Sequence, residues 1–218
     1  MKKYFPFILV IIIAVLVVGG VFIVRKINQP VSDNIQQEDQ SIPDLPEDQR
    51  PILALVPTSD GHYLGLKIEE INKVKDISSM DYELTWKANN AGNLTTQGTS
   101  GTVKISGQSS YNKDLLLGSE SSGKFRYDQG VENGTVTLRF RNSSGKLLGK
   151  INTDFHLQTN TLNLSSVDGS FKYTLSKSVS GVWFITMKSF GKPNSTSVVT
   201  YSNGWAIFAS DGKPHEGK

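Results

Sequence analysis

Residues 5–24, FPFILVIIIAVLVVGGVFIV, carry no charged side chain over twenty positions. This run constrains the chain more tightly than any other feature. As a helix rising 1.5 Å per residue it measures about 30 Å, the thickness of a bilayer's hydrocarbon core. Lys2 and Lys3 flank one end, Arg25 and Lys26 the other, and Tyr4 and Phe5 stand where interfacial aromatics belong. Pro6 falls in the first turn, where a missing N–H costs little. Apolar, β-branched residues surround the helix on every side, unlike the striped surface of a soluble helix. The run also exceeds the roughly 7–15 apolar residues of a cleaved leader, and no Ala-x-Ala site follows it. Cleavage after Gly20 is the competing reading. Gly19 and Gly20 lack the Gly-x-x-x-Gly spacing of a helix dimer. Residues 1–27 are therefore expected to be a short cytoplasmic stub and a single-pass signal-anchor helix.

The flanking basic residues balance, two on each side, so they do not orient the helix. Composition decides instead. The downstream Ser-, Thr-, Asn- and Gly-rich sequence suits a domain outside the cytoplasm, at the cell membrane.

Residues 28–50 hold six acids against one base, with Pro30, Pro43 and Pro46 and almost no aromatic or periodic apolar residues. Such a segment buries too little surface to offset its ordering entropy. It is expected to be a disordered acidic linker, with a docked linker as the alternative. As a loose coil it would average roughly 25–30 Å end to end, enough to hold a domain off an anionic lipid surface.

From Ile52 onward hydrophobic residues alternate with period two. Leu64, Leu66 and Ile68 do so, as do Tyr82, Leu84 and Trp86, and Val136, Leu138 and Phe140. The pairs Phe125/Tyr127 and Phe155/Leu157, and the set Phe171, Tyr173 and Leu175, continue the pattern. Residues 182–187 are apolar on both faces and read as a central strand. Val198 to Tyr201 and Trp205 to Phe208 complete the set. One stretch, 67–80, also fits helical spacing through Ile68, Ile71, Val74 and Ile77. Asn133-Gly134 and Asn203-Gly204 are expected as type I′ hairpin turns, because both residue types accept positive φ. Asp168-Gly169 and the loop 142–145 mark two more turns.

About ten short strands at this spacing predict an all-β fold, a two-sheet antiparallel β-sandwich over residues 51–212, with 213–218 as a flexible tail. A barrel is the alternative. Trp86 on an early strand and the segment 168–175, DGSFKYTL, give the sandwich a resemblance to immunoglobulin-like architecture. The match departs from the tyrosine-corner pattern: Asp168 lies five residues before Tyr173 instead of four, and no Cys follows. The resemblance concerns architecture and implies no activity.

The chemistry available is narrow. There is no cysteine, which excludes disulfides, thiol nucleophiles and Cys-ligated metals. The three histidines, His62, His156 and His215, show no ligand spacing, so no metal or other cofactor is expected. His62 reads as a turn-flanking surface residue and His215 as part of the polar tail. His156 shares a strand face with Asp154, which could orient its imidazole, but no nucleophile is marked. Glu69 and Glu70 are adjacent and face opposite sides of a strand, so they are no general-acid pair. Five Asn-x-Ser/Thr triplets, at Asn93, Asn133, Asn142, Asn163 and Asn194, coincide with turns or turn-rich sequence.

Residues 51–218 carry 18 Lys/Arg and 14 Asp/Glu. That balance is mildly basic, and no nucleic-acid partner is expected. The densest basic region centres on Arg139 and Arg141, which share one strand face, with Lys124, Arg126, Lys146 and Lys150 on neighbouring segments. These two arginines are the candidate binding residues, for an acidic envelope polymer or a membrane-protein partner. The expectation is a non-enzymatic binding, adhesion or scaffold module. The alternative is an envelope hydrolase acting on glycan or peptide.

Overall fold

The computed structural model describes residues 43–90, 92–194 and 198–218. The expected anchor helix, and the linker up to residue 42, lie outside the described residues. Among the described residues no helix is long and apolar enough to cross a membrane.

The described chain is all-β and antiparallel. Its main sheet has seven strands, built from β3 (Ser79–Asn90), β4 (Asn93–Lys104), β8 (Asn133–Arg141), β9 (Leu147–Thr159), β12 (Trp183–Lys188), β13 (Val198–Ser202) and β14 (Trp205–Ala209). Their order is β13-β14-β12-β9-β8-β3-β4. A three-stranded sheet joins β1 (Ile52–Pro57), β2 (Tyr63–Glu69) and β5 (Ser110–Leu116) in the order β1-β2-β5. Two hairpins complete the set: β6 (Gly118–Ser121) with β7 (Lys124–Tyr127), and β10 (Asn163–Ser165) with β11 (Lys172–Thr174).

The alternation explains the core. On β3, Met80, Tyr82, Leu84, Trp86 and Ala88 are buried, while the intervening residues are half-buried or exposed. They pack with Val136, Leu138 and Phe140 of β8, with Ile151 and Phe155 of β9, and with Leu53, Leu55, Leu64, Leu66 and Ile68 of the smaller sheet in one cluster. Each fully buried Leu, Ile or Phe contributes about 1.5–3 kcal/mol. The two sheets are also stitched through the backbone, since Leu53 N–H donates to Ser189 O at 2.9 Å and Ser189 Oγ donates to Leu53 O at 2.7 Å.

The opposite face of the main sheet divides in two. Over β12 and β14 it is apolar: Phe184, Ile207 and Ala209 pack against Leu164, Leu175 and Val182 in a second cluster. The β10–β11 hairpin supplies the cover. Over β4, β3 and β8 the same face is polar, carrying Ser100 and Thr102, Asp81 and Glu83, and Thr137, Arg139 and Arg141. Thr186 is the polar residue caught under the cover, and its buried hydroxyl has no hydrogen-bond partner among the described groups.

Several local expectations change. The helical spacing at 67–80 resolves into β2, one 3-10 turn at Ile71–Lys73 and the start of β3. Ile71 and Val74 are buried there because the turn points both toward the core. Asn203-Gly204 does form the β13–β14 turn, with φ of 49° and 80°. Asn133-Gly134 does not turn. Gly134 lies inside β8, paired with Trp86 on one side and Phe155 on the other. A Cβ there would collide with the Phe155 ring and with Thr85 O. Glycine is needed for close approach and not for positive φ.

The described residues 43–50 pack with the β domain. Leu45 is buried and its N–H donates to Lys150 O at 2.8 Å. The space it fills exists because residue 149 is glycine: a Cβ there would lie 2.6 Å from Leu45 Cδ2. At the other end, residues 213–218, expected as a flexible tail, run beside β11. Thr174 N–H donates to Lys218 O at 2.7 Å, and Lys218 N–H to Thr174 O at 3.0 Å. The His215 ring meets Phe184 edge-on with centroids 5.2 Å apart.

Candidate functional site

Arg139 and Arg141 do share one face of β8, as the alternation requires, but they face acids on β3. Arg139 Nη2 donates to Glu83 Oε2 at 2.9 Å, and Arg141 Nε donates to Asp81 Oδ2 at 2.7 Å. Arg139 is only 7% exposed. Arg141 also donates to Gly145 O at 3.0 Å. The two guanidinium groups are thus engaged within the sheet as a cross-strand ladder. Lys150 sits across from Arg139 on β9. Lys124 and Arg126 belong to the β6–β7 hairpin, a different sheet. Lys150 thus lies beside the arginine face, while Lys124 and Arg126 lie on another sheet.

The Asp154–His156 pair is not brought together as a dyad. Asp154 Oδ1 accepts from Thr135 Oγ1 at 2.7 Å. His156 Nδ1 lies 2.8 Å from Ser165 O, which fixes that nitrogen as the protonated one. His156 and Glu132 do line a common concavity of ≈ 350 Å³ with Gln158 and Trp183. Among the described residues no cluster of three or more His, Asp or Glu side chains is placed to hold a metal ion.

A different group of side chains converges on the surface. Period two places Phe125 and Tyr127 on one face of β7, with centroids 6.3 Å apart and planes within 10°. The His62 ring stacks on Tyr127 at 3.8 Å and 4°. Tyr63 meets Tyr127 edge-on at 6.4 Å. Phe125 ends the row 48% exposed. Lys124 and Arg126, also exposed, alternate with the two aromatics along the strand.

The hairpin that carries this row is pinned at its base. Leu117, buried, donates its N–H to His62 O at 2.8 Å, and its own carbonyl accepts from Asp128 N at 2.9 Å. Trp86, in the core of the main sheet, donates Nε1–H to Asp128 Oδ2 at 2.9 Å. The turn before His62 is equally set. Thr58 Oγ1 donates to Asp60 Oδ1, and His62 N–H donates to the same oxygen at 3.0 Å. These two bonds hold the Asp60 carboxyl below its ordinary value, the Thr58 hydroxyl contributing most. Burial, and then the neighbouring Tyr127, push the Tyr63 phenol up, so it stays protonated through the neutral range.

Sequence reasoning found Phe125 and Tyr127 as strand residues and His62 as a turn neighbour, but it did not join them. The link is a contact across 65 positions of chain, and only the path of β5 and β6 creates it. No protein-family model matches this chain, and no curated protein sequence matches it.

Proposed function

We propose that this chain is a single-pass, membrane-anchored binding module, whose β domain stands outside the cytoplasm and binds an envelope glycan without catalysis. The domain is read as an unequal two-sheet sandwich of immunoglobulin-like architecture. The shared core between the three-stranded and seven-stranded sheets supports that reading.

The observation that carries the functional reading is the Phe125–Tyr127–His62 row. Phe125 is exposed and Tyr127 and His62 are half-buried, so the row offers a ready-made apolar surface on a pinned hairpin and the turn beside it. A sugar ring's apolar C–H face packs on such a ring, and Lys124 and Arg126 offer cations to acidic groups on the same polymer. The row is held by the core, so little ordering entropy is lost when a ligand lands on it.

Co-sedimentation of the full-length, detergent-solubilised protein with insoluble envelope glycan tests this. Phe125→Ala combined with Tyr127→Ala should lower retention at least tenfold, with the circular dichroism spectrum unchanged. Unchanged retention would refute the proposal. A hydrolase is the second reading, favoured by the His156–Glu132 concavity. It requires new reducing ends or free amines after incubation with glycan or peptide, and loss of that product in His156→Gln.

A further inference from the structure

β4 is the outermost strand of the main sheet, twelve residues long, and no strand among the described residues pairs with its far side. Long open edges invite pairing with another chain and are commonly blunted by charges, proline, bulges or shortness. The other edge of the main sheet, β13, is short and has a register shift at Val198/Thr200. The open edge of the smaller sheet, β5, carries Lys113 and Asp114. β4 has none of these devices. From Asn93 to Val103 it holds no charge and no proline, and its register with β3 is unbroken.

The register fixes which backbone groups face outward. Asn89 N–H donates to Gln129 O, away from β4, so Asn89 and Leu94 form a non-hydrogen-bonded pair. The groups of Thr95, Gln97, Thr99 and Gly101 then point to β3. Those of Leu94, Thr96, Gly98, Ser100, Thr102 and Lys104 point to the open edge.

We propose that β4 pairs antiparallel with β4 of a second copy of this chain, about a two-fold axis at Thr99. The strand is self-complementary about that residue. Thr99 meets Thr99, Gly98 meets Ser100, Gln97 meets Gly101, Thr96 meets Thr102 and Thr95 meets Val103. Small side chains thus lie opposite small ones, Gln97 lies opposite glycine, and β-branched residues lie opposite each other, which is the self-matching an isologous contact needs. The only charge, Lys104, lies opposite Leu94, so the pairing sets no like charges together. The outward-facing residues would complete a ladder of about ten hydrogen bonds, the number found in a standard protein interface. The seven-stranded sheet would continue unbroken into the second copy. This pairing does not rest on the glycan reading.

The chain has no cysteine, which makes one introduced thiol a clean reporter. A non-hydrogen-bonded antiparallel pair has its Cα atoms about 4.5 Å apart, within disulfide range. Full-length Thr99→Cys, in native membranes with a mild oxidant, should give a disulfide-linked dimer. Thr102→Cys should not, because residue 102 lies opposite residue 96 and six positions from its own copy. Ser100→Pro in the Thr99→Cys background should cut cross-linking at least fivefold by removing an outward N–H, with circular dichroism confirming the fold. A monomeric Thr99→Cys, equal cross-linking through residue 102, or a cross-link to a chain of another mass would each overturn the proposal.

Discussion

The two halves of the main sheet's outward face make an instructive pair. They share strands, backbone and solvent, and differ in what covers them. Over β12 and β14 the face is dry. Phe184 and Ile207 are fully buried under Leu164, Leu175 and the segment near His215. Over β3, β8 and the first half of β9 it is wet, and it is held by Glu83–Arg139, Asp81–Arg141 and Thr135–Asp154. The covered half draws its stability from removing apolar area, which is large per residue. The open half draws its order from cross-strand pairs, which are worth tenths of a kcal/mol to about 1 kcal/mol each.

The contrast can be broken from the covered side first. Phe184→Ala should cost about 3–5 kcal/mol, read as a lowered urea midpoint, because the hairpin above cannot collapse into the space left. A loss under 1 kcal/mol would mean that the cover is not packed as described. On the open side, Arg139→Met should cost about 1–2 kcal/mol in the same measurement. The arginine is nearly buried but its partner Glu83 is 39% exposed and can be rehydrated, so the penalty for breaking a fully buried pair does not apply.

The smallest expected effect lies in the turn of the cover. The Asp168 carboxyl sits at about 2, held there by the Ser166 hydroxyl first and then by the N–H and hydroxyl of Ser170. A depressed carboxyl stabilises above its unfolded value near 3.8 and loses that contribution as pH falls through its folded value. Asp168→Asn should therefore flatten the decline in stability between about pH 4 and pH 2, seen in thermal melts across that range. An unchanged slope would place the acid sensitivity elsewhere.

The same comparison shows what the sequence made legible. Period two identified β2, β3 and β8 because each has one face on the main core, and burial on one face leaves an alternation to read, whereas β12 was read from a run apolar on both faces. Period two reached only the end of β4, through Val103 and Ile105, because the other inward residues Thr95, Gln97, Thr99 and Gly101 are not apolar and are warranted only by their pairing with β3. The second cluster was hidden for the opposite reason. Phe184 and Ile207 belong to strands buried on both faces, and nothing local says that residues 160–182 fold back over them. Asn133-Gly134 misled because the dipeptide carries turn chemistry, while the position needs only the missing side chain opposite Phe155. Arg139 and Arg141 were placed on the right face. Their partners Glu83 and Asp81 lie 56 and 60 residues away, beyond any local pattern.

Leu45 sets how the domain would answer a mechanical load. Tension arriving from the N-terminal side of the chain meets the fold first at residues 43–50. One buried leucine and two main-chain bonds to Lys150 hold them, while the sheet behind is stitched along whole strands. That short segment would peel before any core strand is strained. It would release about 25–30 Å of extra contour, at roughly 3.3–3.6 Å per residue, and re-seat when the pull relaxed. The glycine at 149, by leaving room for one side chain, would make these residues a reversible strain relief for the sheet behind them.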